Sequence, residues 1–208
     1  ATAVFGGRDD IIGEFQSSLH LTCYSEHMYI GYVKRDNIEF KIRTSEKVCK
    51  SDKEEKVRLT SKAIGEFVIN GEKSIVYCPY KSQIEDVRNK INDSMPHIAR
   101  NVERYYSGEM IQREKDDAYN NFKDGKSLVM LATKAFGMGV NISDIINVYH
   151  YAPTGTLADY VQEIGRAARK LDKGYAIIDY IRSDMHYAQT LWGLSGLRHY
   201  QLKAIIKK

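Results

Sequence analysis

From about residue 34 onward, short apolar runs alternate with amphipathic helical windows. This alternation predicts an α/β fold, a mainly parallel β-sheet flanked by helices. Six runs read as strands: NIEFKI, SIVYC, VERYYS, SLVMLAT, INVYHY and YAIIDY. Between them, apolar positions recurring every three or four residues predict helices from Lys53 to Ile69, from Lys81 to Ser94, from Ile111 to Phe122 and from Thr156 to Lys170. Their stops are readable as well: Asn70-Gly71 closes the first, Pro96 follows the second and Gly125 ends the third. A further helix is expected near Asp9 to Ser18, ahead of the alternation. Residues from about Arg182 read as a helical appendage broken at GLSG. The chain thus divides into a preceding element over residues 1–33, an α/β domain over 34–181 and a helical extension over 182–208, with no internal repeat.

Composition narrows the class. At 208 residues the chain suffices for one good-sized core with an appendage, and 43% hydrophobic with 28% charged residues is a globular balance. No signal peptide and no apolar run approaching 18 residues is present, so a cytoplasmic protein with no membrane partner is expected. The chain opens on ATAVFGG without an initiator Met, which reads as a piece of something longer. Cys23, Cys49 and Cys78 are odd in number and widely spaced, with no CxxC, and predict reduced thiols and no metal. The net charge of +4 is too mild to identify a nucleic-acid binder. Locally, however, Arg198, Lys203, Lys207 and Lys208 accumulate beside Tyr187, Trp192 and Tyr200, with no acidic residue after Asp184. Two readings stay open for this tail: a surface that tracks a phosphate backbone, and an amphipathic helix packed on its own domain.

The candidate chemistry lies in the stretch DYVQEIGRAARK, Asp159 to Lys170. On a helical wheel Leu157, Val161, Ile164 and Ala168 form one narrow stripe, while Gln162, Arg166 and Arg169 fall on the far side. A helix docked by the stripe presents two guanidiniums, and the only nearby carboxylate is Glu163. Gly165 removes bulk at the edge of that face, and two planar cations around a cleared space suit a phosphate. In parallel α/β sheets ligands gather at the carboxyl ends of strands. There, TKAFGMGVN follows SLVMLA, offering the hydroxyl of Thr133, the charge of Lys134 and, at Gly137 and Gly139, backbone amides able to face a phosphate. Ser107 and Gly108 occupy a comparable position after VERYY. No GxxxxGK[ST] is present and no acidic pair for magnesium is recognisable. If the arginines serve phosphoryl chemistry, another lobe supplies the nucleotide and its metal.

These segments resemble the second RecA-like lobe of superfamily 2 helicases, specifically that of RecQ DNA helicases. ATKAFGMGVN resembles motif V in its RecQ form, and QEIGRAAR resembles motif VI, QxxGRxxR. SIVYCPYKSQIEDV resembles motif IV, KRDNIEF the opening of the second lobe, and the initial ATA the tail of motif III, which makes residues 1–33 an inter-lobe connection. The resemblance covers roughly residues 34–180.

The resemblance implies an ATP-dependent helicase whose ATP and Mg2+ are bound mainly by an N-terminal RecA-like lobe of the same protein. By it, Gln162, Arg166 and Arg169 act at the lobe interface, the arginines reaching the γ-phosphate, with Gly165 and the Gly137 to Asn141 stretch, including Gly139, beside the nucleotide. Thr133 and Lys134, with Ser107 and Gly108, would touch the backbone of single-stranded or partly duplex DNA. A role in DNA repair is a further implication. The chain alone would be catalytically silent. Two departures stand out: Ala168 replaces a glycine common in the family, a small-for-small exchange, and the 28 residues after Tyr180 lack the cysteines of the zinc module that usually follows. The alternatives are an RNA helicase lobe, whose motif VI more typically begins with His than Gln, and a non-catalytic nucleic-acid-binding module of the same fold.

Overall fold

The computed structural model describes residues 17, 35–44, 47–106, 108–137 and 141–195. The chain separates into two compact units, Ala1–Asp36 and Asn37–Lys208. The helix expected near Asp9 to Ser18 lies outside the described residues, apart from Ser17, which is helical.

All six expected strands form: β1 (Ile38–Thr44), β2 (Ser74–Tyr77), β3 (Val102–Tyr105), β4 (Val129–Ala132), β5 (Asn147–His150) and β6 (Gly174–Tyr180). They join in one sheet of order β1-β6-β5-β2-β4-β3 in which every pairing is parallel. Residues of β2, β4 and β5 are buried throughout, because helices cover both faces. On one face Val76, Val129, Leu131 and Tyr149 pack with α1 (Asp52–Ile69), α2 (Lys81–Ser94) and the short α3 (Pro96–Ala99). On the other, Ile75, Met130, Ala132 and Val148 meet α4 (Gln112–Lys123) and the end of α5 (Leu157–Ile164). Apolar runs without polar alternation are therefore what this sheet needs.

Local signals set the helix ends. Ser51 Oγ accepts from the Glu54 N–H at 3.2 Å while the Glu54 carboxylate accepts from the Ser51 N–H, a capping box that starts α1. Gly71, at φ 69°, turns the chain after it. Beyond β6 a 3-10 turn (Arg182–Asp184) leads into α6 (Met185–Ser195). Tyr187 of α6 packs on the first core, its ring centroid 6.2 Å from that of Tyr80 and 6.3 Å from that of Tyr151, so this part of the tail docks on its own domain.

One expected helix is wrong in extent. The helix predicted from Thr156 to Lys170 stops at Ile164, and residues 165–168 form a turn. Of the expected docking stripe Ile164 and Ala168 are buried, but Leu157 is 76% exposed, Val161 is half-buried, and Ala167 joins the buried apolar positions. Tertiary bonds win over helical continuation: the Ala168 N–H donates to the Ile145 carbonyl at 2.8 Å, and Asn37 Nδ2 donates to the carbonyls of Ala168 and Leu171, each at 2.9 Å.

Because all strands run parallel, the loops after β2, β3, β4 and β5 emerge at one edge of the sheet. The helix after β2 packs on the first face and that after β5 on the second. Neighbouring strands whose chains depart to opposite faces open a crevice between their carboxyl ends.

Candidate active site

The loop leaving β4 is anchored before it is functional. Phe136 is 1% exposed, its ring 4.9 Å from that of Tyr105 and 6.1 Å from that of Phe122. The Tyr77 hydroxyl donates to the Phe136 carbonyl at 3.0 Å, and burial raises that phenol's pKa. Thr133 is held by its backbone, its N–H donating to the Tyr105 carbonyl at 3.1 Å and its carbonyl accepting from the Phe136 N–H at 3.0 Å. Lys134 is exposed and pairs with Asp159 in the first turn of α5, Nζ to Oδ1 2.6 Å.

Gly137 follows, where a methyl group would sit 2.9 Å from the Lys134 carbonyl oxygen and 3.1 Å from Arg166 Nη2. Only glycine allows this approach. Through it Arg166 Nη2 donates to the Gly137 carbonyl, joining the β4 loop to the arginine turn. Contrary to the expectation of a presented side chain, Arg166 is 4% exposed. Its Nε finds no partner among the described residues, and no described carboxylate lies within ion-pairing distance.

Glu163 is engaged elsewhere. Its Oε2 lies 2.9 Å from His150 Nε2, a buried pair joining α5 to β5. His150 was no sequence candidate, although its placement at the end of an apolar strand, with a carboxylate one helix later, was a usable signal. Arg169 is exposed, and its Nη1 donates to Asn141 Oδ1 at 3.3 Å. Ala168, between the arginines, has φ 49°, in the left-handed region. Gly165 caps α5, and a methyl there would meet the Val161 carbonyl at 3.1 Å and the Gln162 carbonyl at 3.6 Å, so the room it leaves faces its own helix.

The outcome is a cleft of about 370 Å³ lined by Lys134, Ala135, Gly137, Gln162, Glu163 and Arg166. Four of the sequence candidates meet there. Arg169 and Asn141 pair at the far end of the turn, and Thr133 precedes the cleft on the β4 loop. Gly108, exposed at φ 96°, follows the outermost strand β3 and is not brought to the cleft. Ser107 and Gly139 lie outside the described residues. Cys49 and Cys78 are free thiols, and among the described residues no group of three His, Cys, Asp or Glu side chains is placed to hold a metal. No described helix is long and apolar enough to cross a membrane.

Residues 55–170 match the family described as helicase conserved C-terminal domain. The chain is 30% identical over 191 residues to the ATP-dependent DNA helicase RecQ of Pasteurella multocida, covering 88% of this chain and 26% of that protein. It is 35% identical over 127 residues to DEAD-box ATP-dependent RNA helicase 40 of Arabidopsis thaliana, covering 58% of this chain and 11% of that protein. The fold resembles that of S. cerevisiae Dbp5 bound to RNA and ADP BeF3, with TM-score 0.62, 19% identity and coverage of 94% of this chain and 48% of that one. The chain therefore spans about a quarter of its RecQ relative, and the RecQ resemblance read from its motifs is borne out.

Proposed function

Because the chain belongs to the helicase conserved C-terminal domain family, we propose that it is the second motor lobe of an ATP-dependent, RecQ-like DNA helicase. ATP, with Mg2+, is carried chiefly by a first RecA-like lobe of the same protein and supplies the phosphoryl group. This chain's part is to neutralise charge on the γ-phosphate oxygens with Arg166 and Arg169 and to orient the interface with Gln162. The single observation behind this reading is the state of Arg166. A guanidinium buried to 4% exposure, held by the Gly137 carbonyl and the Tyr77 phenol, neither of them charged, and with Nε unpartnered among the described residues, carries a desolvation cost that an arriving anion offsets. Thr133 and Lys134, with Ser107 and Gly108, contact the DNA backbone without reading bases.

The cleanest test uses Arg169, because it is exposed and its removal leaves the core intact. In the two-lobed protein, Arg169→Ala lowers kcat for ATP hydrolysis about 10³-fold or more, with KM for ATP changing less. Near-normal turnover overturns the assignment. The chain alone is expected to leave ATP unhydrolysed. The likeness to an Arabidopsis RNA helicase supports a second reading, an RNA motor, while Gln162 at the head of motif VI favours DNA. ATPase stimulation by single-stranded DNA against RNA of equal length decides between them.

A further inference from the structure

We infer that His150 is a positioning residue for the arginine cleft: by holding Glu163, it keeps the cleft's own carboxylate from capturing Arg166. Glu163 is the single carboxylate among the described residues that line the cleft with Arg166. The two stand one turn apart at the end of α5, the Arg166 N–H donating to the Glu163 carbonyl at 3.2 Å. A Glu and an Arg at this spacing are a favourable helical pair, and carboxylate with guanidinium makes one of the strongest side-chain hydrogen bonds. Burial sharpens the attraction, since both side chains are withdrawn from water. By local chemistry alone, Glu163 is the natural partner of Arg166.

The fold turns it away. Glu163 Oε2 lies 2.9 Å from His150 Nε2, and whichever of the two groups carries the proton between them, Oε2 is held. Arg166 is left with the Gly137 carbonyl and the Tyr77 phenol, neither of them charged. The other carboxylate of α5 is diverted in the same way, Asp159 Oδ1 pairing with Lys134 Nζ at 2.6 Å. Both acidic side chains of the helix that leads into the arginine turn are thus tied to other elements, one to the β4 loop and one to β5.

His150 is a firm anchor. It is the last residue of β5 and 1% exposed. The parallel register sets it beside Tyr77 of β2, whose ring stacks on the imidazole with centroids 5.7 Å apart. The ring of Tyr160, one turn before Glu163 on α5, lies 4.9 Å from it. A side chain locked by packing at a strand end holds its partner in one place. An apolar residue here would leave the Glu163 carboxylate buried without a donor. That state is costly, and turning onto Arg166 relieves it. A guanidinium already neutralised in this way must give up the pair before it can meet an arriving anion.

The pairing is independent of the motor function proposed above, whereas its effect on turnover rests on that function. Both are tested with His150→Phe, which keeps a ring beside Tyr77 and Tyr160 but removes the nitrogen that holds Glu163. In the 208-residue chain, urea unfolding of Glu163→Gln, Arg166→Met and the double variant, with and without His150→Phe, gives the coupling between Glu163 and Arg166. That coupling is expected to be at least ~10-fold larger in the His150→Phe background, and a coupling that does not grow overturns the inference. In the two-lobed protein, His150→Phe is expected to lower kcat for ATP hydrolysis ~10-fold, with KM for ATP changing less. Adding Glu163→Gln, which removes the competing charge, should return kcat to within ~3-fold of the starting protein, and His150→Gln, whose amide still donates, should stay within the same range. A merely structural histidine gives a loss that Glu163→Gln does not restore, and that result overturns the inference as well. If the coupling grows while turnover is indifferent to every variant, Arg166→Met included, the arginine assignment fails and the pairing stands. His150→Leu carries the same comparisons if the phenyl ring prevents folding.

Discussion

Two of the domain's buried cations, Lys56 and Arg166, keep different company. Lys56 on α1 is 1% exposed, and its Nζ donates to Asp184 Oδ2 at 2.8 Å and to the Asp179 backbone carbonyl. Asp184 Oδ2 also accepts from the Ile181 N–H at 3.0 Å. Beside it Arg43 grips the Asp179 carboxylate through two bonds of 2.7 Å, and the Tyr149 hydroxyl donates to the same carboxylate at 3.0 Å. This network pins the end of β6 and the 3-10 turn to α1. Burial pushes the Lys56 pKa down and that of Asp184 up, the cost that the pairing offsets. Arg166 is buried almost as deeply, but its neighbours are the Gly137 carbonyl and the Tyr77 phenol, with no described carboxylate in ion-pairing distance. A cation closed among carboxylates is a fastener, whereas one left with uncharged neighbours and an unmet Nε suits an anion that comes and goes.

The largest expected difference is in stability. Lys56→Met strands the Asp184 carboxylate in the core and should cost about 3–5 kcal/mol, read from urea unfolding of the 208-residue chain. Arg166→Met leaves the Gly137 carbonyl short of a donor but also removes an uncompensated charge. These effects oppose, and a change within about 1 kcal/mol is expected. Equal losses in the two variants would break the comparison.

A third ionic site sharpens the contrast through pH. The buried Glu55 carboxylate accepts from Arg58 Nε at 3.1 Å and from the N–H groups of Cys49 and Val48 at 3.0 and 3.3 Å. Led by the Arg58 bond, these hold its pKa down at about 2 against an ordinary 4.5. A depressed folded-state pKa contributes stability that is present above the ordinary value and lost as pH falls toward the folded one. Stability should therefore fall between about pH 4.5 and 2. Glu55→Gln should be less stable at neutral pH and should flatten that limb. An unchanged acid limb would remove Glu55 as its cause.

What was legible in the sequence follows the same division between local and distant causes. The six strands were readable because apolar runs bounded by turn residues carry their own signal, and α1 and α2 because their stops are local. The arginine turn was not. After Gly165, RAAR continues the helical period with residues of good helix propensity, and nothing local says that Ala168 must bond the Ile145 carbonyl or that Asn37 will clamp its own. Gly137, Gln162 and Arg166 do line one cleft, yet the burial of Arg166 depended on the β4 loop folding over it. Lys56–Asp184 and His150–Glu163 escaped notice because partners 128 and 13 residues apart carry no motif.

The smallest expected effect tests whether the arginine turn stores backbone strain. Ala168 sits at φ 49°, where an L residue is disfavoured by about 1–2 kcal/mol, and glycine would remove that cost. Volume alone makes the exchange of Ala for the family's more usual Gly look neutral, but the backbone and the methyl group pull in opposite directions. The methyl is 1% exposed, and its loss forfeits about 0.8 kcal/mol of burial, with somewhat more lost to glycine's freedom in the unfolded chain. The terms nearly cancel, so Ala168→Gly should change unfolding stability by less than about 1 kcal/mol. Ala168→Val meets both penalties with the same sign. A β-branched residue tolerates this conformation poorly, and there is no space for it, since a methyl built on Gly174 would already lie 2.8 Å from Ala168 Cβ. It should cost more than about 2 kcal/mol and disturb the Arg166 bond to Gly137. If glycine proves as damaging as valine, packing and not backbone conformation holds the turn, and the strain at Ala168 has no energetic consequence.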